Sequence, residues 1–279
     1  MAAWPSSSTG EWSELAQKAR LAKLRLEEAK AVKWLADLMT VLETRVCDSG
    51  LAEKFAGRFN FAVTSSGNRV GRAYIAPFYA QAYSPMRTGG ISTLLHAAAQ
   101  WWSQYLTLRP QSCFGVGSAA RPQLVSWQDA AGASRWVAAV LQVDGEWLYT
   151  RMLTPLLIWE QLLERADDQI GYQELLGVLL AFGTFHRALH DKLWVSFIDN
   201  NGVLFAVRNG ASAAPEVSLA VGRLWLDLAS VNTDLHAARV ESNIEPRFDN
   251  LHPLEVLGFS DALVSWDILH DVDEALVRH

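Results

Sequence analysis

Apolar residues recur at helical spacing from Glu11 to Arg45. Leu15, Ala19, Ala22, Leu26, Ala29, Val32, Leu35, Leu38 and Leu42 mark one face, which predicts one long helix or two joined helices. Leu51 to Phe61 predicts a second helix. Thr64-Ser65-Ser66-Gly67-Asn68 breaks the pattern, Val70 to Ala82 resumes it, and Ser92 to Leu106 predicts a further helix. After the Pro- and Gly-bearing stretch 111–122 the texture changes. Leu124–Asp129, Trp136–Val143 and Glu146–Thr150 read as strands, the last two joined by Asp144-Gly145, a tight-hairpin dipeptide. A helix over Asp168–Leu189 and a strand over Leu193–Ile198 follow. Short helices over Gly202–Asn209 and Val217–Ser230, a fifth strand over Asp234–Val240, and helical spacing from Pro253 onward complete the pass.

Three antiparallel strands followed by alternating helix and strand predict a mixed five-stranded sheet with helices on its faces. The expected class is α+β or α/β, behind an all-helical N-terminal region. The expected division is a flexible lead-in over 1–10, a helical domain over 11–110, a linker over 111–122 and a sheet domain over 123–279. Half of the 279 residues are apolar and twelve are Trp, enough to bury real cores. The pair Trp101-Trp102 reads as core rather than as a base-stacking platform. The richest apolar run, Leu175 to Phe185, is too short for a membrane span, so none is expected. The N-terminus lacks a charged-then-apolar signal pattern. Cys47 and Cys113 supply neither a disulfide framework nor metal spacing, which fits a reducing intracellular compartment, in nucleus, cytoplasm or an organelle.

The net charge of −6 conceals an asymmetry. Residues 1–110 hold 13 Lys/Arg against 8 Asp/Glu, whereas residues 111–279 hold 11 against 22. Nucleic acid, if bound, is expected on the first half, because the second would repel phosphate unless cations masked its carboxylates. The candidate contacts are Lys18, Lys23, Arg25, Lys30, Arg58, Arg69 and Arg72. For the first-helix residues, Lys18 to Lys30, a solvated helix face is the favoured explanation. Gly115-Val116-Gly117-Ser118 lacks the third glycine and the Lys-plus-hydroxyl pair of a phosphate loop. His186 and His190, four apart near a helix end, suit a helix-dipole role better than metal ligation.

Three acidic residues carry the candidate chemistry. Asp129 ends a strand, Glu174 lies near the start of a helix, and Asp199 ends a strand before Asn200-Asn201-Gly202. Each alone reads as an Asx turn or an exposed helix residue. In that order, strand end, helix, strand end, they match the delivery of carboxylates to a two-metal hydrolytic site, in which paired cations about 4 Å apart activate water and stabilise the leaving oxygen.

The stretches Trp127-Gln128-Asp129-Ala130-Ala131-Gly132, Glu174-Leu175-Leu176 and Phe197-Ile198-Asp199-Asn200-Asn201-Gly202 resemble the ribonuclease H domain of retroelement polyproteins, in particular tyrosine-recombinase and related eukaryotic elements. Lys54 to Phe61 and Gly67 to Ala73 are similar to the helical thumb or connection segment that precedes that domain. The resemblance implies a metal-dependent endonuclease acting on RNA in RNA–DNA hybrids, with Asp129, Glu174 and Asp199 holding Mg²⁺ or Mn²⁺. The family's fourth carboxylate falls at Pro246 here; Glu245 and Asp249 are the candidate substitutes, and His252 a candidate for product release. No Asp-Asp polymerase hairpin precedes the linker. The missing aspartate, and a chain that starts at Met1, support a second expectation. On it, a retroelement fragment captured by its host serves as a non-catalytic structural subunit of a large complex, such as an organellar ribonucleoprotein.

Overall fold

The computed structural model describes residues 21–65, 69–83, 90–110, 112–115, 122–131, 135–164 and 169–240. A short strand β1 (Leu21–Leu24) is followed by helices α1 (Glu28–Thr44) and α2 (Ser49–Ser65). A 3₁₀ turn (Arg72–Tyr74) leads into α3 (Ala76–Tyr83) and α4 (Thr93–Leu108). Strand β2 (Ser112–Gly115) then pairs antiparallel with β1, Leu21 opposite Gly115. The expectation of helix across 11–45 is therefore corrected at Leu21–Leu24. The expected linker also contains β2, because pairing with a strand far back in the sequence supplies its backbone partners.

The first half packs around aromatics. Trp102, fully buried, stacks on Phe59 with centroids 4.0 Å apart, and its Nε1 donates to the Tyr74 carbonyl. Trp101 stacks on Tyr74, so the Trp pair is core. Gly71, at φ 87°, lets the backbone pass the indoles: a Cβ there would lie 2.7 Å from Trp102 Cη2.

The second half is built on β3 (Gln123–Ala130), β4 (Trp136–Val143), β5 (Glu146–Leu153), β6 (Leu193–Ile198) and β7 (Asp234–Arg239). They form an open mixed sheet in the order β5-β4-β3-β6-β7. The first three are antiparallel; β6 runs parallel to β3, and β7 parallel to β6. This is the α+β architecture with a mixed five-stranded sheet that the hydrophobic pattern predicts. Asp144 (φ 50°) and Gly145 (φ 88°) make the β4–β5 turn with both central residues at positive φ, as a right-twisted hairpin favours.

Helix α5 (Leu156–Glu164) is absent from the expected set; α6 (Gln169–Leu189), α7 (Asn201–Asn209) and α8 (Pro215–Ser230) lie close to their expected positions. Helix α6 packs on β3 and β4 and also meets α7 and α8. Tyr172 to Phe182 are therefore buried without interruption, as in a helix enclosed on all sides. Asn200 caps α7, its Oδ1 accepting from Val203 N. The two halves meet where α8 lies on the 3₁₀ turn: Tyr74 Oη donates to the Leu219 carbonyl, and Gly222 leaves room for the Tyr74 ring. No helix among the described residues is long and apolar enough to cross a membrane.

A candidate site at the carboxyl ends of the parallel strands

Strand alternation divides β3 into two sets. Leu124, Ser126, Gln128 and Ala130 are buried toward α6, whereas Val125, Trp127 and Asp129 point to the opposite face. The assignment follows from contact: a Cβ on Gly177 of α6 would come within 3.0 Å of Gln128 Cβ and 3.5 Å of Val137 Cγ1. On the far face Trp127 stacks on Phe197 and meets Trp147, with centroids 5.3 Å apart in both pairs. Val140, opposite Trp127 in the register, is 5% exposed yet stands outside the main core cluster, so this face is an apolar layer of its own.

Facing α6, neutral groups satisfy one another. Trp194 Nε1 donates to Ser126 Oγ at 2.7 Å, Ser196 Oγ donates to Gln128 Oε1 at 2.8 Å, and Gln128 Nε2 donates to Ser126 Oγ. Ser126, Ser196 and Trp194 have no exposed surface and Gln128 is 2% exposed, so each polar atom depends on these partners.

The three predicted acids lie at one pole of the sheet but do not share one face. Asp129 Oδ1 accepts from the Ala130 amide at 2.8 Å, a local turn-type contact, and the residue sits on the Trp127 side. The parallel register Trp127↔Phe197, continued two residues, brings Asp199 level with Asp129. Glu174, 5% exposed, lies in the second turn of α6 on the opposite side of the sheet. The first turn of α6 touches the β6 end, since a Cβ on Gly171 would be 3.6 Å from Asn200 Nδ2. Asn200, next to Asp199, therefore borders the start of α6, while Asp199 itself shares the parity of Asp129.

Buried polar atoms without hydrogen-bond partners among the described residues include Asp199 Oδ1, both amide atoms of Gln173, and Thr154 Oγ1. Pattern reading missed Gln173 and Thr154, because single neutral polar residues in apolar runs carry no motif. An orphan carboxylate oxygen is what a cation would satisfy. A pair of divalent cations asks for more, namely a bridging carboxylate on the helix-facing side. Gln128 occupies that side with its oxygen already engaged. Among the described residues no three of His, Cys, Asp and Glu assemble as a metal-binding group. Among the described residues the donor set does not fit a two-metal centre.

Glu245, Asp249, His252 and Lys18 lie outside the described residues. Most of the other basic candidates have partners within the protein. Lys23 lies in β1, Arg25 Nε donates to the Arg109 carbonyl, and Lys30 pairs with Glu27. Arg58 is a structural pillar, bonded to Asp37 at 2.7 Å and lying over Trp34 and Phe55. Arg69 is tied to the sheet, and Arg72 lines an open groove of about 390 Å³ with Phe205, Asn209 and Ser212. Arg25, Lys30, Arg58 and Arg69 are thus each engaged by groups of the protein.

Against known proteins, no family model and no curated sequence matches this chain.

Proposed function

We propose that this chain is a ribonuclease H-like scaffold that acts by binding, as a non-catalytic structural subunit of a larger protein assembly. The meander of three antiparallel strands, continued by two parallel strands reached through helices, supports the ribonuclease H-like reading. The observation that carries the non-catalytic part is Gln128. It holds the helix-facing place on the central strand, locked in neutral hydrogen bonds, while Asp129 faces away. Two-metal hydrolysis depends on charge converging at one point, and a fold without its complete site does not carry the reaction.

The test is incubation of the full chain with an RNA–DNA hybrid in Mg²⁺ or Mn²⁺. The expected result is no cleavage above background. Cleavage that Asp199→Asn abolishes would overturn the proposal and make the protein a nuclease.

One observation favours a second reading, in which the site still takes a cation. The buried, partnerless Oδ1 of Asp199, at the end of β6 near the start of α6, offers an oxygen ligand to a hard divalent ion. Such an ion would supply charge neutralisation at the pole of the sheet. Calorimetric titration with Mg²⁺ and Mn²⁺ separates the readings: heat lost in Asp199→Asn supports the cation, and a flat titration ends it.

A further inference from the structure

The two edges of the five-stranded sheet are finished differently. On β7, the carbonyls of Leu235 and Ala237 accept from Arg69 Nη1 at 2.9 Å and Arg208 Nε at 2.8 Å. These residues share parity, so their carbonyls are the outward groups that an added strand would use. Two guanidiniums occupy them, and that edge is closed.

On the other side, β5 has no such device among the described residues. It pairs with β4 and packs on α6, and its outer rim packs closely on no other element among the described residues. Exposed apolar side chains concentrate around it: Trp136, Trp147 and Leu153 on the sheet, then Leu156, Leu157 and Leu163 on α5. They make up six of the fourteen exposed large hydrophobics of the described residues, and all fall between residues 136 and 163.

We propose that β5 is a self-association edge: two copies of this chain pair their β5 strands antiparallel across a two-fold axis, joining the sheets into one. The occupant follows from the strand's own sequence. Residues opposed in an antiparallel pair share a face, so a strand paired with itself opposes residues of equal parity. With Tyr149 on the axis, Trp147 faces Arg151 of the second copy on each side, and Glu146 faces Met152. Arg151 already lies over one indole, that of Trp136, at 5.0 Å, and this register offers it a second. Shifting the axis to Thr150 makes the two Arg151 residues diagonal neighbours, and shifting it to Arg151 opposes them directly. An axis at Leu148 shortens the paired stretch. Charge and length select Tyr149. The inference holds whether or not the carboxylates bind a cation.

Light scattering and sedimentation equilibrium on the full chain, across roughly 1–100 μM, read the association directly. The expected result is a dimer. Tyr149→Lys places like charges on the axis and should weaken it at least about tenfold, with the unfolding midpoint of the monomer unchanged. Under mild oxidation Tyr149→Cys should cross-link two copies, while Trp147→Cys and the parent chain should not. A chain monomeric throughout, a dimer that Tyr149→Lys leaves intact, or a cross-link at 147 without one at 149 would each overturn the proposal. If Tyr149→Lys fails to fold, the cross-linking pattern alone decides.

Discussion

Arg69 and Leu235 lie 166 residues apart in the chain and are joined by a 2.9 Å hydrogen bond from Nη1 to the backbone carbonyl. The same guanidinium lies 5.1 Å above the Trp225 ring, whose Nε1 donates to the Val207 carbonyl. A single side chain from the helical half thus reaches the sheet edge and an α8 indole together. Arg69→Ala removes a charged donor and a cation–π contact, and should cost about 2–3 kcal/mol of unfolding free energy. Arg69→Lys should recover less than half of it, since an ammonium cannot both stack and reach the carbonyl. Denaturant titration checks both values.

Gly210 ends α7 at φ 68°, and a Cβ there would lie 2.5 Å from the Arg69 carbonyl oxygen. Gly210→Ala meets strain and a backbone clash together. A loss of about 2–4 kcal/mol is expected, measured by chemical unfolding. A loss below 0.5 kcal/mol would show that the loop yields.

The neutral network around Gln128 makes a pH-dependent prediction. Gln128→Glu keeps the shape but places a carboxyl among buried neutral partners. Burial favours its protonated form, so its folded pKa lies above the unfolded one. The sign follows: the variant is near wild-type stability in acid and loses stability as pH rises through that window. At pH 8 the deficit should reach about 3 kcal/mol. A deficit that is the same at pH 4.5 and pH 8 would sink the argument.

Cys47 is fully buried, and its thiol is pushed up to about 11, first by burial and then by the neighbouring Asp48 carboxylate. It should resist thiol reagents at pH 7.5 until the chain unfolds. Because the folded pKa is raised above the unfolded value, the stability linked to this proton is intact below pH 9. It is lost as pH climbs toward 11. Cys47→Ala should flatten that alkaline decline, as followed by melting temperature.

The sheet was legible in the sequence because its strands are bounded by strong local signals. Asp144-Gly145 marks the hairpin, and Leu193–Ile198 is an unbroken β-rich run between a helix end and Asn200-Asn201. The helix predicted through Leu21–Leu24 fails because a four-residue strand owes its form to β2, far away in sequence. Helix α5 was hidden because Leu156-Leu157-Ile158-Trp159 is apolar without a clear period. At the site, the order of Asp129, Glu174 and Asp199 was legible, but the face each occupies was not. Both parities of β3 carry large apolar groups, Leu124 on one and Trp127 on the other. The burial of Ser126 and Gln128, rather than Asp129, depends on Gly177 and Trp194 approaching from elsewhere.

The arginine caps on β7 have a consequence for any attempt to cut the protein in two. One cap comes from within the sheet half and the other from the helical half. A fragment starting after residue 110 would leave the Leu235 carbonyl open to the next molecule and strip the cover from Trp225. Expressed alone, the sheet half should precipitate or pair nonspecifically through β7, and adding back the separately produced N-terminal half should restore its solubility.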